Sequence, residues 1–244
     1  MISARSGDRV CYNEGNYDAV VITLSKEENF VNSPTLQARE RELKKRWAYP
    51  YRWGRVQNNL FDAQTRFVYN VPLFKPLLAE LERRFGAAPQ REAFFDYALN
   101  RWYNFWSARA VEDIFAVLDG VTPAENRRDR LVDFTLNGVR FDHKTSVFPR
   151  GFGRDLAYAV NHPEALIEWL YRSQSQQQRL HYANRLFLVL YAADGAHWKL
   201  KAELTWLSGI VRDYVTTFDV ARLHRFTFRP GQETLSDIIW AIRC

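Results

Sequence analysis

Residues 130–148 read RLVDFTLNGVRFDHKTSVF, and this stretch decides the fold. Two runs in which apolar residues alternate with other residues flank Asn137-Gly138. Asn-Gly is the strongest short signal for a β-hairpin, because both positions of its turn need a positive φ. A two-residue turn at this point pairs Phe134 with Phe141. We therefore predict a hairpin with this register.

The two faces of the predicted hairpin differ in character, because side chains alternate along a strand. The apolar face, predicted to lie in the core, carries Val132, Phe134, Leu136, Val139 and Phe141. The other face carries Asp133, Asp142 and Lys144, with the two acids directly opposite each other and their Cβ atoms about 5 Å apart. Like charges so close cost stability, and a divalent cation between them removes that cost. The sequence therefore predicts a metal site with Asp133 and Asp142 as ligands.

This arrangement resembles the signature of the PD-(D/E)xK superfamily of restriction-endonuclease-like nucleases. The matching residues are Asp133 and then Asp142-His143-Lys144, and the resemblance covers about residues 102–191. Val132 departs from the pattern, since it stands where the superfamily has its name-giving proline. The resemblance implies an α-β-β-α-β core that hydrolyses DNA with Mg²⁺, for which Mn²⁺ can substitute. It also implies that Asp133, Asp142 and Lys144 are catalytic.

A long helix, predicted over residues 91–118, precedes the hairpin. Glu112 falls on the apolar stripe of this helix, so its carboxylate is expected to point inward. The resemblance implies a helix-borne acid that supports the metal, and Glu112 is the residue assigned to that catalytic, metal-binding role. The alternatives are a boundary glutamate that reaches solvent or pairs with an arginine, or Asp113 as the acid instead.

The composition of the 244 residues favours a polyanionic partner. The formal net charge is +6, and a basic chain attracts nucleic acid. Hydrophobic residues make up 47% of the sequence, enough for a large core. Cys11 and Cys244 have no metal-ligand spacing, which favours oxygen ligands and a cytoplasmic location. We predict DNA as the partner and no membrane association, because no run approaches the length of a membrane span.

Two basic segments are candidates for contacting DNA. In the first, residues 46–61 lack acids and alternate arginines with aromatic residues, which suits phosphate contact and base stacking, although a packed corner of the core is the alternative. In the second, residues 149–155 read PRGFGRD and closely follow the predicted catalytic strand, although an ordinary surface loop is equally compatible. The predicted nucleic-acid-binding residues are Arg46, Arg52, Trp53, Arg55, Arg150 and Arg154.

The remaining pattern predicts an α/β (α+β) fold with a mixed central β-sheet flanked by helices. A restriction-endonuclease-like nuclease core is assigned to residues 91–244. A mostly helical N-terminal region, a possible DNA-contacting subdomain, is assigned to residues 1–90. Further predicted elements are strands near 19–24, 185–191, 223–228 and 235–242, and helices near 36–47, 76–85, 164–181 and 202–214.

The leading functional hypothesis is a type II restriction-type endonuclease. With one active site per chain, cutting both strands of a duplex favours a homodimer with two-fold symmetry. One alternative is an end-processing, RecB-like nuclease of repair or phage defence, suggested by the spacing of Gln178 and Tyr182. The other is a non-catalytic nucleic-acid-binding module on the same fold.

Overall fold

The computed structural model describes residues 34–52, 59–125, 132–173 and 182–244. Its strands are β1 (Val121–Pro123), β2 (Phe134–Leu136), β3 (Val139–Val147), β4 (Arg185–Ala192), β5 (His224–Arg229) and β6 (Gln232–Arg243). Its α-helices are α1 (Pro34–Lys44), α2 (Asn59–Gln64), α3 (Phe74–Phe85), α4 (Arg91–Ala116), α5 (Leu156–Asn161), α6 (Pro163–Ser173) and α7 (Leu204–Thr216). Short 3₁₀ helices cover Lys45–Ala48, Arg66–Asn70, Arg150–Phe152, His197–Ala202 and Val220–Arg222.

The predicted hairpin is present as β2 and β3. Asn137 and Gly138 have φ values of 44° and 86° in its turn, and Phe134 pairs with Phe141 as predicted. The pairing ends there, which corrects one detail of the predicted register. The amide of Asp133 donates to the carbonyl of Phe141 at 2.8 Å, so Asp133 does not continue the ladder opposite Asp142.

The hairpin joins a mixed six-stranded sheet with the order β1-β2-β3-β4-β6-β5. The three central strands β3, β4 and β6 run parallel, and the outer pairs are antiparallel. This register places Asp142 beside Arg185 and Arg185 beside Ser236. The N-terminal end of β4 therefore lies next to the acidic part of the hairpin.

Helices cover both faces of the sheet, because β4 is apolar on both sides. Leu186, Leu188 and Leu190 pack into a cluster with α1, α3, α4 and α7. Phe187 and Val189 face the opposite way and pack against α5 and α6. The structure is thus a mixed α+β fold with helices flanking a mixed sheet, which confirms the coarse architecture predicted from the pattern.

Side chains from both sides of residue 90 share one core within the described residues. Leu36 and Leu77 belong to the same buried cluster as Trp102 and Phe134. The strand predicted near residues 19–24 lies outside the described residues, as does the C-terminal part of the helix predicted over 164–181. In the part of the chain that the structure describes, no helix is both long and apolar enough to cross a membrane.

Candidate functional site

Asp142 and Lys144 lie side by side on one face of β3, as their two-residue spacing dictates. The Nζ atom of Lys144 donates to Oδ1 of Asp142 at 2.7 Å. The side chain of Asp142 is only 4% exposed, whereas that of Lys144 is 47% exposed. The pair therefore links a buried carboxylate to an ammonium group that solvent can reach.

Arg185, the first residue of β4, occupies the other oxygen of the same carboxylate. Its Nε and Nη2 atoms lie 2.7 and 2.6 Å from Oδ2 of Asp142. Its guanidinium packs over the rings of Tyr171 and Phe187, with distances of 5.0 and 5.6 Å to the ring centroids. Charge-assisted hydrogen bonds of this kind are the strong ones, so Asp142 is held firmly in place.

Sequence reasoning missed Arg185, although one signal was present. An arginine opens the apolar run RLFLVLY, which the pattern places in a strand buried on both faces. A charged residue at such a position needs a partner, because a buried charge is costly unless it is paired. The partner, Asp142, becomes visible only once β3 and β4 are known to be parallel neighbours.

Asp133 lies between this ion pair and helix α4. Its Oδ2 atom accepts a hydrogen bond from the backbone amide of His143 at 2.7 Å. Burial raises the pKa of Asp133 above its ordinary value, and the negative charge of Asp142 adds to the rise, while the His143 amide acts against it. Two carboxylates therefore interact here, as the sequence predicted, even though their backbones are not paired.

Glu112 of α4 adds a third carboxylate to this region. Burial raises the pKa of Glu112, and the charge of Asp133 adds to the rise. Arg109 partly compensates, because its Nη1 atom lies 3.0 Å from Oε2 of Glu112. Asp113, the alternative acid, forms its ion pair with Arg39 instead. Glu112 is thus the helix acid that interacts with Asp133.

His143 points to the other face of β3, as the alternation predicts. Its ring lies 5.3 Å from that of Phe115, and its Nε2 atom is 3.3 Å from the hydroxyl of Thr145. Burial lowers the pKa of His143 to about 3, so the imidazole is neutral at physiological pH. The side chain belongs to the core and not to the acidic site.

The carboxylates have a donor chemistry that suits a hard divalent cation. Among the described residues, no three or more His, Cys, Asp or Glu side chains are gathered in a group that could hold a metal ion. The predicted ligands instead interact in succession, Glu112 with Asp133 and Asp133 with Asp142. Mg²⁺ is typically bound through one or two carboxylates and keeps several waters. Asp133 and Asp142 supply such an oxygen-only pair, and because both oxygens of Asp142 already accept from Lys144 and Arg185, a bound cation would share Oδ1 with the Lys144 ammonium.

Arg46, predicted to contact nucleic acid, is a core residue instead. Its side chain is fully buried and donates to the carbonyls of Tyr49 and Pro50 and to Oδ1 of Asn100. A guanidinium in that position cannot reach a phosphate on the surface, so Arg46 is withdrawn from the predicted contacts. For Arg46, the alternative interpretation is correct, in which this segment packs as part of the core.

Of the other residues of this segment that were predicted to contact nucleic acid, one is described by the structure and two are not. Arg52 is on the surface, where its Nη1 atom lies 2.6 Å from Oε1 of Glu92. Trp53 and Arg55 lie outside the described residues, as does Gln178. Tyr182, the proposed companion of Gln178, is described, and its ring stacks on that of Phe228 at 4.8 Å.

Arg150 lies near the opposite end of the sheet from the acidic site. Strand β3 rises by about 17 Å between Asp142 and its last residue. Burial lowers the pKa of His197, and the charge of Arg150 adds to that effect, which places Arg150 near the C-terminal end of β4. Arg154 packs over the ring of Tyr158, 5.2 Å away. Proximity in sequence was misleading because an extended strand carries the chain away from the site.

Comparisons with protein-family models, with curated proteins and with solved structures found no match for this chain.

Proposed function

We propose that this chain is a metal-dependent deoxyribonuclease with a restriction-endonuclease-like core. The class that we propose is a type II restriction-type endonuclease. The contact between Lys144 and Asp142 carries this proposal, because it brings the Asp-x-Lys pair of the motif together at one point. Asp133 interacts electrostatically with Asp142 and Lys144, and Glu112 interacts with Asp133. A plain surface ion pair would not account for three neighbouring carboxylates.

The order of elements around the site supports the proposed core. Helix α4 carries Glu112, and Asp133 directly precedes β2. Strand β3 carries Asp142 and Lys144, α5 and α6 connect it to β4, and β4 lies parallel to β3. Apart from the additional short strand β1 and the division of the crossover into two helices, this order is compatible with the α-β-β-α-β core that the resemblance implies. Fold alone does not determine function, so the proposal depends on the residues at the site and not on this order.

The proposed reaction is hydrolysis of a DNA phosphodiester. Lys144 is a compact cation at the surface of the site, suited to orienting the attacking water and to stabilising negative charge on the phosphate. Asp133 and Asp142, with Glu112 in support, would hold Mg²⁺ or Mn²⁺ through oxygen atoms. When bound, the ion supplies a Lewis acid for the phosphate and lowers the pKa of a bound water. The oxygen of a water molecule would bond to phosphorus while the bond from phosphorus to one sugar oxygen breaks. The water would release a proton to solvent, and the departing sugar oxygen would take one up.

The exposure of the site residues indicates the direction from which DNA approaches. Lys144 is the solvent-exposed member of the motif, while Asp142 and Arg185 are nearly enclosed. DNA would therefore meet Lys144 first. The net charge of +6 favours the encounter. Because each chain would contribute one site, cleavage of both strands would need a two-fold symmetric homodimer.

The test is incubation of the purified protein with supercoiled plasmid in Mg²⁺, in Mn²⁺ and in EDTA. We expect nicked and linear products with either metal and none with EDTA. Cleavage confined to linear DNA would favour the end-processing alternative, since an exonuclease needs an end. DNA binding without cleavage of any single- or double-stranded, methylated or unmethylated substrate would favour the non-catalytic module.

A further inference from the structure

We propose that Arg185 is the positioning residue of the site, holding Asp142 so that a single carboxylate oxygen faces the reaction. This inference rests on the proposed nuclease function and assigns a role to a residue outside the motif. The observation behind it is the unequal use of the two oxygens of Asp142. The buried Arg185 binds Oδ2, and Oδ1 accepts from Lys144 on the exposed side of the site.

Both donors of Arg185 converge on one oxygen. Its Nε and Nη2 atoms contact Oδ2 at 2.7 and 2.6 Å. Lys144 contacts Oδ1 at 2.7 Å. The terminal torsion of an aspartate is broad, so the plane of a carboxylate contacted only by a flexible lysine can turn about the Cβ–Cγ bond. Arg185 fixes that plane, because turning the carboxylate away would break two charge-assisted hydrogen bonds.

Arg185 is itself immobilised by its surroundings. Its guanidinium packs against Tyr171 and Phe187, and its carbonyl accepts a hydrogen bond from the hydroxyl of Ser236 at 2.7 Å. The hydroxyl of Tyr171 is fixed in turn by the carbonyl of Ala183 at 2.8 Å. Because the side chain of Arg185 is only 10% exposed, it is not placed to contact DNA. Its influence on the reaction passes through Asp142.

Lysine is not an adequate substitute for arginine at this position. Guanidinium is a planar fork with fixed donor directions, whereas a lysine ammonium is a point charge on a flexible stem. Arg185→Lys therefore keeps the buried positive charge but loses the fixed geometry. Partners behind metal ligands commonly change metal affinity or activity by about 10–100-fold when they are replaced. We expect an effect of that size for Arg185→Lys.

The experiment compares the wild type with Arg185→Lys by titration calorimetry with Mn²⁺ and by steady-state cleavage of DNA. The expected result is a Kd for Mn²⁺ at least about 10-fold weaker, with kcat reduced and KM for DNA within about two-fold. Arg101→Lys is the matched control, because Arg101 is also largely buried and pairs with Asp62, but it lies among Thr65 and Tyr69. That control should change the melting temperature and leave Mn²⁺ affinity unchanged.

A folded Arg185→Lys variant with wild-type Mn²⁺ affinity and kcat would overturn the positioning role. If that variant does not fold, Phe187→Leu provides the second measurement, since it removes one of the two rings that immobilise the guanidinium and lets it shift on Asp142 while both charges remain. Unchanged Mn²⁺ affinity in Phe187→Leu would also overturn the role, and a several-fold loss would support it. A wild type that neither binds Mn²⁺ nor cleaves DNA would instead defeat the proposed nuclease function.

Discussion

Lys144 and Asp142 form an ion pair with 2.7 Å between Nζ and Oδ1, yet the two side chains differ about ten-fold in exposure. The second carboxylate oxygen is bound by the buried Arg185. Removing the two members of the pair should therefore have unequal effects on stability. Removing the exposed lysine should lower the free energy of unfolding only slightly. Removing the aspartate should lower it strongly, because the buried arginine loses its partner.

Lys144→Ala should leave the protein folded. Exposed ion pairs typically contribute about 0–1 kcal/mol, and salt screens them further. We expect a cooperative thermal melt within a few degrees of the wild type, measured by circular dichroism. A collapse of the melting transition would mean that Lys144 has a structural role beyond its contact with Asp142.

Asp142→Ala should destabilise the protein strongly, by about 3–5 kcal/mol, because Arg185 would remain buried and unpaired. Asp142→Asn should cost less than Asp142→Ala, since its amide oxygen still accepts from Arg185, although the buried guanidinium loses its counter-charge. Urea denaturation of both variants measures the difference. Equal stability of the two variants would show that the contact with Arg185 does not constrain the fold. Asp142→Asn is accordingly the better variant for isolating catalysis.

Asp133→Asn should stabilise the metal-free protein or leave it unchanged. The substitution keeps an oxygen that can accept from the His143 amide and removes a charge that burial and Asp142 disfavour. The gain should be on the order of 1 kcal/mol or less. Thermal melts in EDTA at neutral pH measure it. With Mg²⁺ the order should reverse, because only the wild type gains strongly from the metal by mass action.

The pH dependence of this effect has a definite sign. The folded-state pKa of Asp133 is raised, so the folded state binds more protons than the unfolded state across the carboxylate range. The wild type therefore loses stability as pH rises from the unfolded pKa through the folded pKa, and the advantage of Asp133→Asn should vanish in acid. A variant clearly less stable than the wild type in EDTA would assign Asp133 a structural role instead.

Arg46→Ala and Arg52→Ala should separate packing from DNA contact. Arg46 is buried among three hydrogen-bond acceptors, so its loss should lower the free energy of unfolding by several kcal/mol and leave the salt dependence of DNA binding unchanged. If Arg52 contacts one phosphate, its loss should flatten the slope of log K against log salt by about one. Binding titrations at several salt concentrations decide this, and an unchanged slope would remove Arg52 from the interface.

We expect the stability of the wild type to rise with pH in the alkaline range because of Lys201, and the Lys201→Met variant should lack this rise. Burial lowers the pKa of Lys201 to about 8, and its ammonium donates to Oδ1 of Asn104 at 2.6 Å. Between the folded pKa and the unfolded value of about 10.4, the unfolded state binds more protons, so wild-type stability rises with pH. Urea denaturation at pH 7.5 to 10.5 follows the effect. An identical pH profile in the variant would contradict the assignment.

Local patterns in the sequence predicted the hairpin and the buried strand β4 correctly, because hairpin turns and alternation act over a few residues. Asn137-Gly138 fixed the turn, and the apolar run at residues 185–191 identified a strand buried on both faces. The same locality limited the prediction at Asp133. The ladder stops at Phe134, and a backbone hydrogen bond to Phe141 holds Asp133 near Asp142 without pairing them.

The roles of residues that depend on neighbours distant in sequence could not be predicted from local sequence patterns. Arg46 has the composition of a DNA contact, but the chain folds it inward onto Asn100. Arg150 follows the motif in sequence, but β3 carries it to the opposite end of the sheet. Arg185 could not be connected to Asp142 without knowing that their strands are adjacent and parallel.

The most direct test of the account is cleavage of supercoiled plasmid DNA by the wild type, by Lys144→Ala and by Asp142→Asn, each assayed in Mg²⁺ and in EDTA. Melting curves recorded on the same preparations establish that the variants are folded. The account predicts Mg²⁺-dependent cleavage by the wild type and loss of cleavage in both folded variants. Wild-type rates in both variants, or a wild type inactive on every DNA tested with Mg²⁺ or Mn²⁺, would contradict it.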